Sequence, residues 1–300
     1  MQLFKKTHFD FIGKRYPAFA LSSILLLAGI VSLVMKGGPK LGIDFTGGYL
    51  VQIDFKESVA LKDLRNQFTQ KGYADAELQD FSGEKSVIIR LPKSEKSVEA
   101  LGKDLLEVVQ AQYPNSGATV SRAEYVGPAV GRSLANQAMM AIVWATVLII
   151  LYVAFRFRSM LWGICSIAAL VHDVLSVVGI FSILNKEITV TVVAGILTLA
   201  GYSMNDTIVV YDRMRENLRL SKKESLSEII NRSVNETLSR TIMTSMTVAI
   251  TVFVLFQWGG PVIHDFALSL LLGVIVGTYS SIFVASPVVV EWNLRQPPRL

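Results

Sequence analysis

Two charged residues inside apolar segments are the strongest candidates for chemistry in this 300-residue sequence. Asp206 lies in GYSMNDTIVVYDR, before the largely apolar residues 207–210, and Arg240 opens another apolar segment in SRTIMTSMT. A charge at the centre of a membrane helix costs about 2.5–3.5 kcal/mol, so such residues usually face the protein interior and serve ion or proton movement. The alternatives are an interfacial carboxylate for Asp206 and a snorkelling side chain for Arg240.

The order of the apolar segments predicts that Asp206 and Arg240 lie at similar depth, because one segment ends on the side where the other begins. An ion pair between them would offset part of the free energy of burying each charge. Protonation of the carboxylate would then release the arginine. A threonine stripe on the face of Arg240 is expected to contact a neighbouring helix or a wet cavity. The polar residues near the pair are Tyr202, Asn205, Thr237, Thr241, Thr244 and Thr251.

A third charged position, His172–Asp173, falls near the middle of another apolar segment. Two interpretations stay open for it. A histidine beside a carboxylate in mid-membrane can relay protons, and a hydrogen-bonded pair can equally fix the packing of helices. The single cysteine, Cys165, lies in an apolar run and indicates no redox chemistry.

Two groups of glycines predict close backbone contacts. In GIDFTGG, Gly42, Gly47 and Gly48 are expected to form a tight turn or hinge in which Asp44 caps the turn. Gly273 and Gly277 form a GxxxG face, which suggests a close contact between helices, although the spacing could be incidental.

The composition indicates an integral membrane protein. Hydrophobic residues make up 51% of the chain and charged residues 18%, below the roughly 25% that is usual. This excludes a disordered chain and a disulfide scaffold. A membrane helix needs about 20 apolar residues. Six stretches meet this requirement, at 17–35, 134–155, 161–184, 188–211, 240–257 and 266–290.

The distribution of Lys and Arg predicts the orientation of these spans. Segments on the N-terminal side carry fifteen of them, whereas the two short loops on the opposite side carry only Lys186. Both tails, 1–16 and 291–300, are therefore expected in the cytoplasm. The cytoplasmic loop 212–239 has an apolar helical face that suits either an interfacial helix or a connector packed on the bundle. The positive net charge is accounted for by topology, so we predict no nucleic-acid partner.

Residues 36–133 form one large segment on the outer side, with ordinary soluble composition and no histidine or cysteine. Its pattern predicts the order strand, helix, strand, strand, helix, strand, which is that of a ferredoxin-like α+β domain. We expect Ser58 and Ser97 to cap its helices and residues 82–85 to form a hairpin turn. Nothing in it forms a catalytic set, so we predict no enzyme activity, no metal and no cofactor.

The order of several short motifs over the whole chain resembles the SecD/SecF family within the resistance-nodulation-division (RND) superfamily. The resemblance implies half of an RND-type bundle that pairs with SecD and, driven by the proton motive force, promotes late steps of protein export across the bacterial inner membrane. It also implies SecYEG and the preprotein as partners, with YajC and YidC as further ones, and Asp206 and Arg240 as proton-pathway residues. The motifs are GIDFTGG at 42–48, HD at 172–173, GYSMNDTIVVYDR at 201–213, SRT at 239–241, GGP at 259–261 and ASP at 285–287.

Two other functions compete with this interpretation. Half of a small-molecule or lipid exporter of the same superfamily would need a second outer subdomain to form a binding cleft, and the single outer module argues against that. A passive scaffold would tolerate the loss of the Asp206 carboxylate.

Overall fold

The computed structural model describes residues 7–57, 59–81, 85–92, 94, 96–157, 159–221 and 224–295, which divide into a unit of residues 41–138 and a unit formed by the rest. In the described part, six helices are long and apolar enough to cross a membrane, as predicted. The elements in chain order are α1 Arg15–Met35, α2 Ile43–Thr46, β1 Gly48–Asp54, α3 Leu61–Gln70, β2 Glu77–Phe81, β3 Ser86–Leu91, α4 Val98–Gln112, β4 Thr119–Val126, α5 Pro128–Phe157, α6 Met160–Ile183, α7 Val190–Leu220, α8 Leu226–Trp258, α9 Gly260–Ser280, a π-helical turn Ser281–Ala285 and α10 Ser286–Arg295.

Several helices extend beyond the apolar stretches. Helix α5 begins at Pro128, where proline suits the first turn. The predicted loop 212–239 is largely helical, because α7 continues to Leu220 and α8 begins at Leu226 with a capping box between Ser225 and Glu228. Its apolar face does not form a separate interfacial helix: it is the first part of α8 and packs in the core of the bundle. Ile230 and Val234 of that face pack beside Tyr211 and Met214 of α7, and Ile229 is also buried.

The 41–138 unit is a four-stranded antiparallel sheet with strand order β2-β3-β1-β4. Its main core includes Val51, Ile89, Leu64 and Leu105, from strands β1 and β3 and helices α3 and α4. A smaller cluster with Leu50 is also buried, so β1 is enclosed along almost its whole length instead of alternating between core and solvent.

Of the helix caps and the turn predicted in this unit, one cap is confirmed, and the other cap and most of the turn fall on residues that the structure does not describe. Ser97 caps α4 by accepting a hydrogen bond from the amide of Ala100, as predicted. Ser58 and residues 82–84 of the predicted turn lie outside the described residues, and Ala60 occupies the N-cap position of α3.

The GIDFTGG segment forms the short helix α2 followed by a left-handed turn. Gly47 and Gly48 have φ of 73° and 116°, which favours glycine. A Cβ atom on Gly48 would lie 2.7 Å from the carbonyl oxygen of Leu91. Gly42, not Asp44, occupies the N-cap position, and Asp44 lies in the first turn of α2.

Small residues set the spacing of helices α7 and α9. A Cβ atom on Gly273 would lie 2.7 Å from Leu199 Cδ1, and one on Gly277 would lie 3.0 Å from Ser203 Cβ. The two glycines therefore let α9 approach α7 at successive turns. Helices α1 and α6 approach in the same way at Gly29 and Gly179.

Candidate functional site

Asp206 is buried at the meeting of three helices. Its side chain on α7 is 2% exposed, and Oδ2 accepts a hydrogen bond of 3.3 Å from Ser245 Oγ on α8. Ser245 in turn accepts from Tyr202 Oη at 3.1 Å and from Thr278 Oγ1 of α9 at 2.7 Å. A short chain of hydroxyl groups therefore ends at one carboxylate oxygen, which is a geometry that can pass a proton.

Arg240 does not form the predicted ion pair with Asp206. Within the described ranges, no carboxylate lies within ion-pair distance of its guanidinium, although the two charges interact electrostatically. Arg240 precedes Ser245 by five residues, which turns it about 140° around α8 from the face that reaches Asp206. The side chain is exposed on the isolated chain. Its influence on Asp206 is therefore exerted through space.

Arg240 lines a charged cleft between the end of α7 and the start of α8. The cleft has a volume of about 380 Å³. Arg213 at its centre binds Glu216 and Glu236, each at 2.6 Å. Val209 and Arg213 follow Asp206 by three and seven residues, so they share its helical face. The cleft therefore places charged and polar groups at this end of the α7 face. Its lining residues are Val209, Asp212, Arg213, Glu216, Glu236, Thr237 and Arg240.

The other polar residues near Asp206 divide into those that reach it and those that do not. Tyr202 reaches it through Ser245, whereas Asn205 is exposed. The hydroxyls of Thr237 and Thr244 bond to backbone carbonyls of their own helix. Threonine satisfies its hydroxyl this way in many helices, even where the residue faces lipid. Thr244 also contacts the Tyr202 hydroxyl of α7, and Thr237 lines the charged cleft, so these two members of the stripe meet a neighbouring helix and a cavity as expected.

His172 and Asp173 form a second buried site, joined by three helices. Asp173 is 0% exposed; its Oδ1 lies 2.8 Å from His172 Nδ1. Its Oδ2 accepts hydrogen bonds from Ser203 of α7 and from Ser280 of α9, the latter at 2.8 Å. Ser280 immediately precedes the π-helical turn, a feature frequent at functional sites. Both interpretations of this pair, relay and packing, remain compatible with these contacts.

The two sites are neighbours in the bundle. Ser203, which binds Asp173, precedes Asp206 by three residues on α7 and so lies on the same face. On α9, Thr278 donates a hydrogen bond to Ser245 at the Asp206 site, and Ser280 donates one to Asp173. Gly277 allows this part of α9 to contact Ser203.

Sequence reasoning missed Ser203, Ser245, Thr278 and Ser280. Ser245 could have been found, because it follows Thr241 by four residues on the same helical face. The α9 residues could not, because nothing in the sequence specifies which face of α9 meets α7. Among the described residues, no three His, Cys, Asp or Glu side chains are grouped so as to hold a metal ion.

Comparisons with known proteins agree along the whole chain. Residues 107–295 match the family model described as protein export membrane protein SecD/SecF, C-terminal, and residues 31–59 match the SecD/SecF GG motif. The chain is 42% identical over 300 residues to the protein translocase subunit SecF of Endomicrobium trichonymphae, covering 100% of this chain and 96% of the relative. It is 45% identical to that of Magnetococcus marinus, covering 96% and 94%.

A solved structure shares the fold. The crystal structure of SecDF, a translocon-associated membrane protein from Thermus thermophilus, superimposes with a TM-score of 0.84 at 38% identity, covering 96% of this chain and 39% of that chain. The chain thus spans about two fifths of the SecDF polypeptide, and nearly the full length of the SecF relatives.

Proposed function

Because this chain belongs to the SecF branch of the SecD/SecF family of protein export membrane proteins, we propose that it pairs with SecD and uses the proton motive force to promote late steps of preprotein export. The observation that carries this proposal is the buried Asp206, which has one hydroxyl donor and no direct cationic partner among the described residues. Such a carboxylate can gain and lose a proton without first breaking an ion pair.

The proton would reach Asp206 from the charged cleft at the junction of α7 and α8. The positive-inside distribution supports a cytoplasmic location for this cleft and for both termini, in the bacterial inner membrane. Ser245, Tyr202 and Thr278 would then carry the proton onward, since each hydroxyl both donates and accepts. One charge that crosses 100 mV releases about 2.3 kcal/mol, which biases a two-state element by more than tenfold.

The 41–138 unit would be the periplasmic part, with the ferredoxin-like fold. The strand order β2-β3-β1-β4, with every neighbouring pair antiparallel and two helices after β1 and β3, supports that fold. A single compact module suits contact with the preprotein better than a drug-binding cleft.

SecD is the partner that would cover the exposed polar face of α7 and α8. Asn205, Arg240, Thr244 and Thr251 are exposed on the isolated chain although they lie in or near apolar spans. Lipid contact at a charged group is unfavourable by several kcal/mol, so a second bundle is expected there. The longer SecDF polypeptide supports the same partner. SecYEG, YajC and YidC are proposed as further partners from the family.

The test uses proteoliposomes that contain SecYEG, SecD and this chain. A preprotein is arrested partway by SecA and ATP, SecA is then removed, and a proton gradient is imposed. Asp206→Asn should abolish gradient-driven completion while SecD still co-purifies. The matched control is Asp265→Asn, which removes a carboxylate bonded to Lys186 at 3.0 Å and should leave completion unchanged. Completion at the wild-type rate in Asp206→Asn would show a passive scaffold.

A further inference from the structure

Two polar atoms beside the His172–Asp173 pair are buried without a partner. His172 is 6% exposed and Ser176 1% exposed. Neither His172 Nε2 nor Ser176 Oγ has a hydrogen-bond partner among the described residues. Ser176 follows His172 by four residues on α6, so both side chains lie on one helical face.

Leaving two such buried atoms without partners is unfavourable, because each keeps the full cost of losing its contact with water. Buried waters typically bind polar groups that would otherwise be unsatisfied. Both atoms are buried: α1 packs on α6 through Gly29 and Gly179, and the ring of Tyr279 lies 6.5 Å from that of His172. The local chemistry therefore suits one enclosed water held by a ring nitrogen and a hydroxyl.

We propose that His172, Asp173 and Ser176 form a second proton-holding site, in which a buried water bridges His172 Nε2 and Ser176 Oγ. The proposal rests on the proton-driven function proposed above and assigns that function a further site. A proton delivered to the water passes to Nε2 while the Nδ1 proton passes to Asp173 Oδ1. The pair thus gains one proton, and the carboxylate becomes a neutral acid.

The site would extend the polar path away from Asp206. Helices α6 and α7 are antiparallel neighbours joined by a short connection, so Ser176 and Asp206 lie on opposite sides of the level of Asp173. Ser176 lies three residues beyond Asp173 on α6, and Asp206 lies three residues beyond Ser203 on α7. At about 1.5 Å per residue, the two side chains are therefore separated by about 9 Å along the bundle. Of the titratable groups on the helices packed against the pair, Tyr279 of α9 has its ring 6.5 Å from that of His172, and Asp206 of α7 lies one turn from Ser203. Helix α1 has no titratable residue between Tyr16 and Lys36.

The direct test is solid-state NMR of the full chain in lipid bilayers with ¹⁵N-labelled histidine. The sequence has three histidines, so His8→Gln with His264→Gln leaves only His172. Magnetisation transferred from water protons should reach Nε2, and Ser176→Ala should reduce that transfer at least about twofold. Ser166→Ala is the matched control, because Ser166 is buried on the same helix and bonds to the carbonyl of Trp162. No transfer to Nε2, or equal transfer in Ser176→Ala, would overturn the water site.

A second variant tests the proton-holding role. Asparagine places a polar nitrogen near the position of Nδ1, so His172→Asn keeps a contact to Asp173 but removes Nε2 and the titration. Gradient-driven completion should fall at least fivefold with SecD co-purification unchanged; wild-type completion would overturn the role. The NMR result is independent of export. If the Asp206→Asn variant supports normal export, the proposed proton-driven function is wrong. The NMR measurement would still test the water site separately.

Discussion

The regions around Asp206 and Asp173 contain the same side chain at nearly the same burial, yet they differ in how that side chain is held. Asp206 has one hydroxyl donor at 3.3 Å and shares its helical face with the lining of a charged cleft. Asp173 is held by His172, Ser203 and Ser280 from three helices. Burial alone therefore does not distinguish the two carboxylates; they differ in the number of their donors and in whether their helical face leads to the charged cleft.

The comparison predicts its largest effect on stability at Asp173. Asp173→Ala leaves His172 Nδ1 and Ser203 Oγ without their partner and removes one of the two acceptors of Ser280. Breaking such a network costs about 3–5 kcal/mol. Asp206→Ala removes one hydrogen bond, worth about 1 kcal/mol. Chemical unfolding of the two variants in the same mild detergent should show this order. Equal losses would mean that the two carboxylates contribute alike to the bundle.

These two regions also show how far the sequence can be read. The cost of a membrane charge identified Asp206, Arg240 and His172–Asp173, and hydropathy located six helices. Distances between helices were out of reach, since they depend on which faces meet. This is why the ion pair of Asp206 with Arg240 was wrong and Ser245 was missed. Helix ends were also missed, because α7 and α8 continue past the apolar stretch on capping and packing signals.

The next largest loss of stability is expected at the contact between Gly277 of α9 and Ser203 of α7. Gly277→Val should lower the free energy of unfolding by about 1–3 kcal/mol, because the new side chain overpacks the contact between α9 and α7 and displaces a donor of Asp173. Gly201→Ala is the control: an added Cβ there meets nothing within 4 Å, and alanine favours a helix by about 1 kcal/mol over glycine. Thermal unfolding should rank Gly277→Val below the parent and Gly201→Ala at or above it.

Ser245→Ala tests the Asp206 site, where we expect a small loss of stability and a large loss of export. It removes the only described side-chain donor to Asp206 and the junction that joins Tyr202 and Thr278 to it. Stability should change by only about 1 kcal/mol, whereas gradient-driven completion of export should fall by about tenfold. Ser166→Ala, on α6, should alter neither measurement to that extent. Unchanged export in Ser245→Ala would show that protons reach Asp206 without this serine.

The smallest effect is expected at a partly exposed carboxylate of the 41–138 unit. Asp104 forms an ion pair with Lys96 in the 41–138 unit. That contact lowers the pKa of Asp104 and raises the pKa of Lys96. Since the folded-state pKa of Asp104 lies below its unfolded value, any stabilisation is present at neutral pH and is lost as the pH falls through the folded-state pKa. Exposed pairs contribute little, so Asp104→Asn should shift the melting temperature by less than about 2 °C at pH 7 and not at all in acid. A larger shift would show that the pair is shielded from water in the intact protein.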